Sequence, residues 1–208
     1  MNQKNSLGLD ICFKDLDNPI DLFREWFDES KKNEQNDPNA LALATSDKTG
    51  MPSVRMVLLK GFDKNGFVFY TNLDSKKSND IINNAKAAMC FHWKSIFRQV
   101  NIVGTISKVS DKEADEYFKT RSYLSKISAW ASKQSSVLKS RDELNESIVK
   151  YKKIYSDENN VPRPRHWSGW RLNPNEIEFW LNGANRAHQR LRYKNIEDGK
   201  WKKILLNP

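Results

Sequence analysis

The feature that most constrains this chain is its rhythm of short apolar runs broken by tight turn chemistry. Residues 40–45, 54–62 and 67–71 are mostly aliphatic or aromatic, and Ser46-Asp47-Lys48-Thr49-Gly50 and Asp63-Lys64-Asn65-Gly66 lie between them. Asn-Gly and Thr-Gly supply the positive backbone angles that hairpin turns need. Connections this short force neighbouring strands to pair antiparallel, because a parallel pair needs a crossover of a dozen or more residues. Strands are also expected at 87–93 and 99–109, and the final third returns to the pattern at 166–172, 176–181, 186–193 and 201–206, the last two turned by Asp198-Gly199. Helical periodicity is confined to a few segments. The first spans 18–33, where Asn18-Pro19 caps a stripe of Ile20, Leu22, Phe23, Trp26 and Phe27. The others are Ser75–Asn84, Asp111–Arg121 and Asp142–Tyr155. The expected fold is mainly β with helical additions (α+β), a β-barrel and not a doubly wound sheet. One domain over residues 1–208 is expected, with 1–17 as a flexible arm, since no Pro/Gly/Ser-rich linker divides the chain.

Several function classes recede on composition. Cys12 and Cys90 have no CxxC partner, and His92, His166 and His188 lack helical metal-site spacing, so no metal centre is expected. No apolar run has the length of a membrane span, and Met1-Asn2-Gln3-Lys4-Asn5 lacks a signal-peptide core, which gives a cytoplasmic expectation with no membrane partner. The net charge of +9 is compatible with nucleic acid. The lysines are spread out, however, and no nucleic-acid-binding motif accompanies them, so no nucleic-acid partner is expected. Neither GxGxxG nor a P-loop is present.

Four groups of side chains carry chemistry. Arg186, His188 and Arg190 alternate, and on a strand they share one face about 6 to 7 Å apart. Such a row needs an anionic or electron-rich ligand unless it faces bulk water as a solvated edge strand. Arg55-Met56-Val57-Leu58-Leu59-Lys60 is an apolar strand with a cation at each end, a pattern that also serves solubility. Phe69-Tyr70-Thr71-Asn72 followed by Ser75-Lys76-Lys77 places hydroxyls, backbone N–H groups and ammonium charges at one strand-to-helix junction, either a phosphate cradle or a solvated helix start. Tyr117, Arg121 and Ser125, spaced i, i+4, i+8, present a phenol, a guanidinium and a hydroxyl together if one helix runs through all three. Singly, none of these is specific.

Together and in this order, the segments RMVLLK (55–60), FYTN (69–72), SKK (75–77), RQV (98–100), the Tyr117/Arg121/Ser125 series, SKQSS (132–136) and EFW…RxHxR (178–190) resemble the pyridoxine/pyridoxamine 5′-phosphate oxidase family over about residues 37–208. The resemblance implies an FMN-binding split β-barrel acting as a homodimer, with the flavin at the subunit interface. It implies FMN contacts at Arg55, Met56, Val57, Leu58, Leu59, Lys60, Tyr70, Thr71, Lys76, Lys77, Gln99, Gln134, Ser135, Trp180 and Arg190. For the substrate, it implies phosphate contacts at Lys60, Tyr117, Arg121 and Ser125, with Arg186 and His188 at the pyridine ring as the catalytic pair. The implied reaction oxidises pyridoxamine 5′-phosphate or pyridoxine 5′-phosphate to pyridoxal 5′-phosphate, passing a hydride equivalent to FMN, with reoxidation by O2 giving H2O2.

The chain departs from the family pattern at Lys76, where arginine is usual, and at Leu181, Ala187 and Gln189. Two other readings stay open: another split-barrel flavin reductase, or a non-catalytic carrier of FMN or pyridoxal phosphate.

Overall fold

In the computed structural model, which describes residues 4–197 and 199–208, one nine-stranded antiparallel sheet curls into a barrel. The strands are β1 (Ala40–Ser46), β2 (Pro52–Leu58), β3 (Gly61–Asp63), β4 (Gly66–Asn72), β5 (Lys86–Trp93), β6 (Arg98–Lys108), β7 (Trp167–Leu181), β8 (Gln189–Glu197) and β9 (Lys200–Leu206). The main path runs β2-β1-β5-β6-β7-β4-β3, with β8 added to β7 and β9 to β8. Strands β2 and β3 stand at opposite ends of this path yet are joined by only Leu59 and Lys60, so the sheet must curl until its ends meet. Two backbone bonds make that closure: Leu59 N–H donates to Asn39 O at 2.8 Å and Lys60 N–H to Val68 O at 2.8 Å. The expected strand 54–62 is therefore interrupted at the point where the chain crosses the seam.

The strands expected at 166–172 and 176–181 are one strand, β7. Its first half pairs with β4, its second half with β8, and β6 follows both halves with a register shift at Val103/Gly104, beside Pro174. Proline has no N–H to give the ladder, and the bulge is where that lack is tolerated. The turn expected at Asp198-Gly199 involves Asp198, which lies outside the described residues; strands β8 and β9 pair on either side of it.

Helix α1 (Pro19–Asn33) plugs the barrel. The Asn18 side chain accepts from Ile20 N–H at 3.0 Å, and Pro19 opens the first turn, as the sequence predicts. Its apolar stripe meets the inward-facing strand residues. Phe23 lies edge-on to Phe62, Phe67 and Phe91 at 4.9, 4.9 and 5.2 Å between centroids, and Trp26 packs on Phe179 at 5.1 Å. Residues 4–17, expected as a flexible arm, lie folded against the barrel. Phe13 is fully buried, Trp26 Nε1–H donates to Cys12 O, Tyr193 O–H donates to Leu16 O, and Lys203 bridges Asp15 and Asp17. The burial of Phe13 and the partial burial of Leu7, Leu9 and Leu16 explain why a segment without regular secondary structure stays docked.

Helices α2 (Lys76–Asn83), α3 (Asp111–Lys119), α4 (Tyr123–Ala131) and α5 (Arg141–Ile154) lie outside the barrel. The single helix needed to carry Tyr117, Arg121 and Ser125 does not form. Helix α3 stops at Lys119, and Ser122 caps a new helix, α4, by accepting from Ser125 N–H. No helix among the described residues is long and apolar enough to cross a membrane.

Candidate functional site

The seam between β2 and β4 opens into a cavity of about 430 Å³. Its walls come from the end of β2 (Met56, Val57 and Leu58), from Lys60 in the crossing, from Tyr70 and Thr71 on β4, and from Lys77 on α2. Tyr117, Arg121 and Ser125 close one side and Gln134 another. The break between α3 and α4 thus does what a straight helix was expected to do: it brings the phenol, the guanidinium and the hydroxyl to one cavity.

Arg121 in this cavity stands apart from the other buried and half-buried arginines. The partly or fully buried arginines elsewhere each have a carboxylate within 4 Å: Arg55 with Asp80, Arg98 with Glu29, Arg163 with Asp111 and Asp115, Arg171 with Asp63 and Glu113, Arg190 with Glu178, and Arg192 with Glu176. Among the described residues, Lys60, Lys77 and Arg121 form no ion pair, and no acidic residue lines the cavity. Arg121 donates one bond, from Nη2 to Ser125 O at 2.9 Å, and its buried Nε has no partner. Its guanidinium rests over the Trp167 ring at 4.8 Å, and burial pulls its pKa down.

Lys77 is 8 % exposed and donates to three neutral oxygens: Gln134 Oε1 at 2.8 Å, Thr71 Oγ1 at 3.1 Å and Ser75 Oγ at 3.2 Å. Burial, with repulsion from Arg55 added, lowers its pKa to about 8. Cations held off carboxylates in a half-dry cavity are an arrangement that an anionic ligand completes.

Local chemistry sets this junction. Strand β4 ends at Asn72, whose side chain accepts from Asp74 N–H at 2.7 Å; Ser75 and Ser78 hydroxyls both donate to Asn72 O, at 2.7 and 2.9 Å, and start α2. Beneath it, Asp80 gathers the remaining polar groups, accepting from Ser53 Oγ, Thr45 Oγ1 and Lys76 Nζ at 2.7, 2.8 and 3.1 Å. Burial alone would raise the pKa of this carboxyl, but the hydroxyl and ammonium donors outweigh it and hold it low. Arg55 is absorbed into the same network, donating to Leu43 O, Thr45 Oγ1 and Ser53 Oγ, while Leu59 is buried in the core.

An aromatic wall backs the cavity. Tyr70 stacks on Tyr117 at 4.0 Å and 10°, and lies near-parallel to Trp167 at 5.3 Å. Gly169, across β7 from Tyr70, makes the close approach feasible, because a Cβ there would stand 2.7 Å from the Tyr70 ring. A larger opening of about 690 Å³ adjoins it, lined by Asn72, Lys76, Gln134, Ser135, Trp130, Tyr151 and His166. Ser135 sits there with φ of 71° in the SKQSS loop.

The remaining candidates form a second group. Gln99, Trp180 and Arg190 are cross-strand neighbours on β6, β7 and β8, hence on one sheet face. Here the expected cationic row fails. Only Arg190 lies on a strand, while Arg186 ends a 3₁₀ turn at Ala184–Arg186, and Asn185 and Arg186 have left-handed φ of 53° and 64°. Alternation therefore stops before His188. Arg190 is already paired, Nε donating to Glu178 Oε1 at 2.8 Å and Nη1 to Asn207 O at 2.8 Å.

The turn is tightly self-bonded: His188 N–H donates to Arg186 O at 2.8 Å, and Gly183 N–H donates to His188 Nδ1 at 3.2 Å. A Cβ at Gly183 would fall 2.0 Å from Ala187 O, so the loop needs glycine there. Because Gly183 N–H can only donate, Nδ1 is the acceptor and the neutral ring carries its hydrogen on Nε2. His188 also packs on Trp180 at 4.7 Å. None of Gln99, Trp180, Arg186, His188 and Arg190 lines the Arg121 cavity of the same chain.

Trp167, Asp80, Arg163 and Arg171 had no distinguishing signal in the sequence, apart from the i, i+4 spacing of Lys76 and Asp80.

Fold and cavity define a class: a split β-barrel protein with a carboxylate-free cationic pocket beside an aromatic wall. Within that class the comparisons are specific. A family profile described as pyridoxamine 5′-phosphate oxidase matches residues 27–180, and one described as the pyridoxine 5′-phosphate oxidase C-terminal dimerisation region matches residues 167–208. The chain belongs to the pyridoxamine 5′-phosphate oxidase family. It is 63 % identical over 208 residues, covering all of both chains, to the pyridoxine/pyridoxamine 5′-phosphate oxidase of Pelagibacter ubique. It is 51 % identical over 197 residues, 94 % of this chain and 95 % of the relative, to that of Rhizobium leguminosarum. Among solved structures it is similar to PhzG from Burkholderia lata in complex with tetrahydrophenazine-1-carboxylic acid, with a TM-score of 0.88 at 28 % identity over 99 % of this chain and all of the other. A pyridoxamine 5′-phosphate oxidase-related, FMN binding protein from Nostoc punctiforme shares the fold, with a TM-score of 0.73 at 18 % identity over 89 % of this chain and 97 % of the other.

Proposed function

We propose that this protein oxidises pyridoxine 5′-phosphate or pyridoxamine 5′-phosphate to pyridoxal 5′-phosphate with FMN as its cofactor. The observation that carries the reading is the cavity in which Lys60, Lys77 and Arg121 converge without a carboxylate. Its chemistry suits phosphate esters, and the orphaned Arg121 Nε and the buried Lys77 ammonium fit that requirement. Lys60, Tyr117, Arg121 and Ser125 hold the substrate phosphate. Lys77, Lys76, Thr71, Tyr70, Gln134 and Ser135 hold the cofactor along the strand-to-helix junction, with the β2 segment Arg55–Lys60 along its ring system.

Held by these residues, FMN would supply the acceptor for a hydride equivalent from C4′ of the ester, with dioxygen as the terminal oxidant and hydrogen peroxide as its product. The protein's own share is placement and charge. Cations fix the ester, the aromatic wall excludes water from one side, and Arg186 orients the pyridine ring. His188 serves as an Nε2–H donor to the ring and not as a base, since its Nδ1 lone pair is taken by Gly183 N–H.

The Gln99–Arg190 group reaches the cavity from a second copy of the chain. Two facts support a homodimer. The C-terminal match is to a dimerisation region, and the outer sheet face between the two groups exposes Val54, Met56 and Val103, at 69, 65 and 50 %, beside Ala42, Ala44 and Ala88, with Glu176, Glu178 and Arg192 at its border. The test is direct: the purified protein, supplemented with FMN, is expected to be yellow and to convert either ester in air into aldehyde and peroxide. Bound flavin without turnover would overturn the oxidase reading in favour of a carrier.

A further inference from the structure

We propose that Arg163, which lies outside the cavity, is a positioning residue that sets the ester-binding wall; the proposal rests on the phosphate-ester reading of that cavity. Arg163 has 12 % side-chain exposure and uses all three nitrogens. Nε donates to Asp115 Oδ1 at 2.6 Å, Nη2 to Asp111 Oδ1 at 3.1 Å and Nη1 to Trp167 O at 2.7 Å. One rigid planar group thus ties the first two turns of α3 to the first residue of β7.

The two elements it joins carry the two surfaces that aim the ester ligands. Helix α3 supplies Tyr117, two residues beyond Asp115, and β7 supplies the Trp167 ring under the Arg121 guanidinium. Arg121 lacks a carboxylate, so that ring, the Phe118 ring at 5.8 Å and the single bond to Ser125 O are what orient it. Arg171 grips the same helix from further along β7, Nη2 donating to Glu113 Oε1 at 2.9 Å and Nη1 to Asp63 Oδ1 at 2.9 Å. Asp111 and Asp115 are 72 and 51 % exposed, and ion pairs whose carboxylates sit half in water add little to stability. The clamp's consequence is therefore geometric: without it the polar ties of α3 to β7 are Arg171 and the bond from Val109 N–H to Gly169 O, and the common aim of Tyr117 and Arg121 loosens.

The experiment compares Arg163→Gln, Arg163→Lys and Asp115→Asn with the wild type, using pyridoxine 5′-phosphate and unphosphorylated pyridoxine as substrates. Arg163→Gln is expected to raise KM for the ester about ten-fold while kcat and FMN content stay within about two-fold. The kcat/KM for unphosphorylated pyridoxine is expected to hold, so that selectivity for the ester falls. Arg163→Lys and Asp115→Asn, each keeping part of the clamp, should lie between. Equal losses on both substrates, or an unchanged KM for the ester, would overturn the proposal. Should the wild type turn over neither substrate, the oxidase reading fails there. The clamp is then decided by pyridoxal 5′-phosphate binding to flavin-free protein, followed through tryptophan fluorescence: about ten-fold weaker binding to Arg163→Gln supports it and equal binding overturns it.

Discussion

Lys77 offers the sharpest test of whether the cavity is held in readiness for an anion. Its ammonium is buried among neutral oxygens, and its pKa falls from an ordinary 10.5 to about 8. At about 1.4 kcal/mol per pKa unit, that fall corresponds to about 3 kcal/mol of native-state cost in flavin-free protein. The sign follows from proton counting. Between pH 8 and 10.5 the unfolded chain holds a proton that the native one has lost, so the cost is fully present below pH 8 and disappears as pH rises to 10.5.

Lys77→Met keeps most of the volume and removes the charge, giving up three hydrogen bonds to Thr71, Ser75 and Gln134, whose side chains keep the Thr71 Oγ1–Gln134 Oε1 bond at 3.1 Å and the Ser75 Oγ–Asn72 O bond at 2.7 Å. Subtracting about 1 to 2 kcal/mol for those bonds leaves the flavin-free variant more stable than wild type by about 1 to 2 kcal/mol at pH 7. Urea unfolding at fixed protein concentration, followed by tryptophan fluorescence at pH 7 and pH 10, measures the difference. The advantage should be gone at pH 10, and the variant should bind FMN about 10- to 100-fold more weakly. A variant less stable than wild type at pH 7, by an amount that does not change with pH, would refute the argument.

Other outcomes follow from the same geometry. Arg186→Ala should lower kcat/KM at least about 100-fold while FMN content, read from the visible spectrum, stays near wild type; equal loss of both would assign Arg186 to the cofactor or the fold. Gly183→Ala drives a methyl into Ala187 O at 2.0 Å and should lower kcat/KM about as much as His188→Ala does, with the melting temperature shifted by only a few degrees. Phe23→Ala empties the centre of the aromatic plug and should cost about 3 to 5 kcal/mol in urea unfolding.

Much of the architecture was legible because it is local. The Asn18-Pro19 cap, the hairpin at Asn65-Gly66 and the apolar runs of β5 and β6 each follow from a few adjacent residues. Failures came where distant geometry overrides local pattern. The strands expected at 166–172 and 176–181 are continuous through Pro174, because the extra residue Asn175 bulges out of β7 opposite Val103 and Gly104. Arg186, His188 and Arg190 alternate as a strand would, but left-handed Asn185 and Arg186 curl the chain before β8 begins, a conformation that non-glycine residues seldom announce. Tyr117, Arg121 and Ser125 line one cavity although the helix expected to group them is broken at Ser122. Nothing local marks Trp167 as the ring that carries Arg121 or Asp80 as the buried carboxylate under the junction, since both roles exist only after folding.

The central claim is that the Arg121 cavity of one chain and the Arg186 loop of its copy make one active site. Arg121→Ala and Arg186→Ala proteins, each inactive alone, can be unfolded together, refolded and assayed with pyridoxine 5′-phosphate. In random pairing half the dimers are mixed, and each mixed dimer carries one intact site, so the account predicts recovery of about one quarter of wild-type activity. A refolded mixture that contains mixed dimers and remains inactive would contradict it.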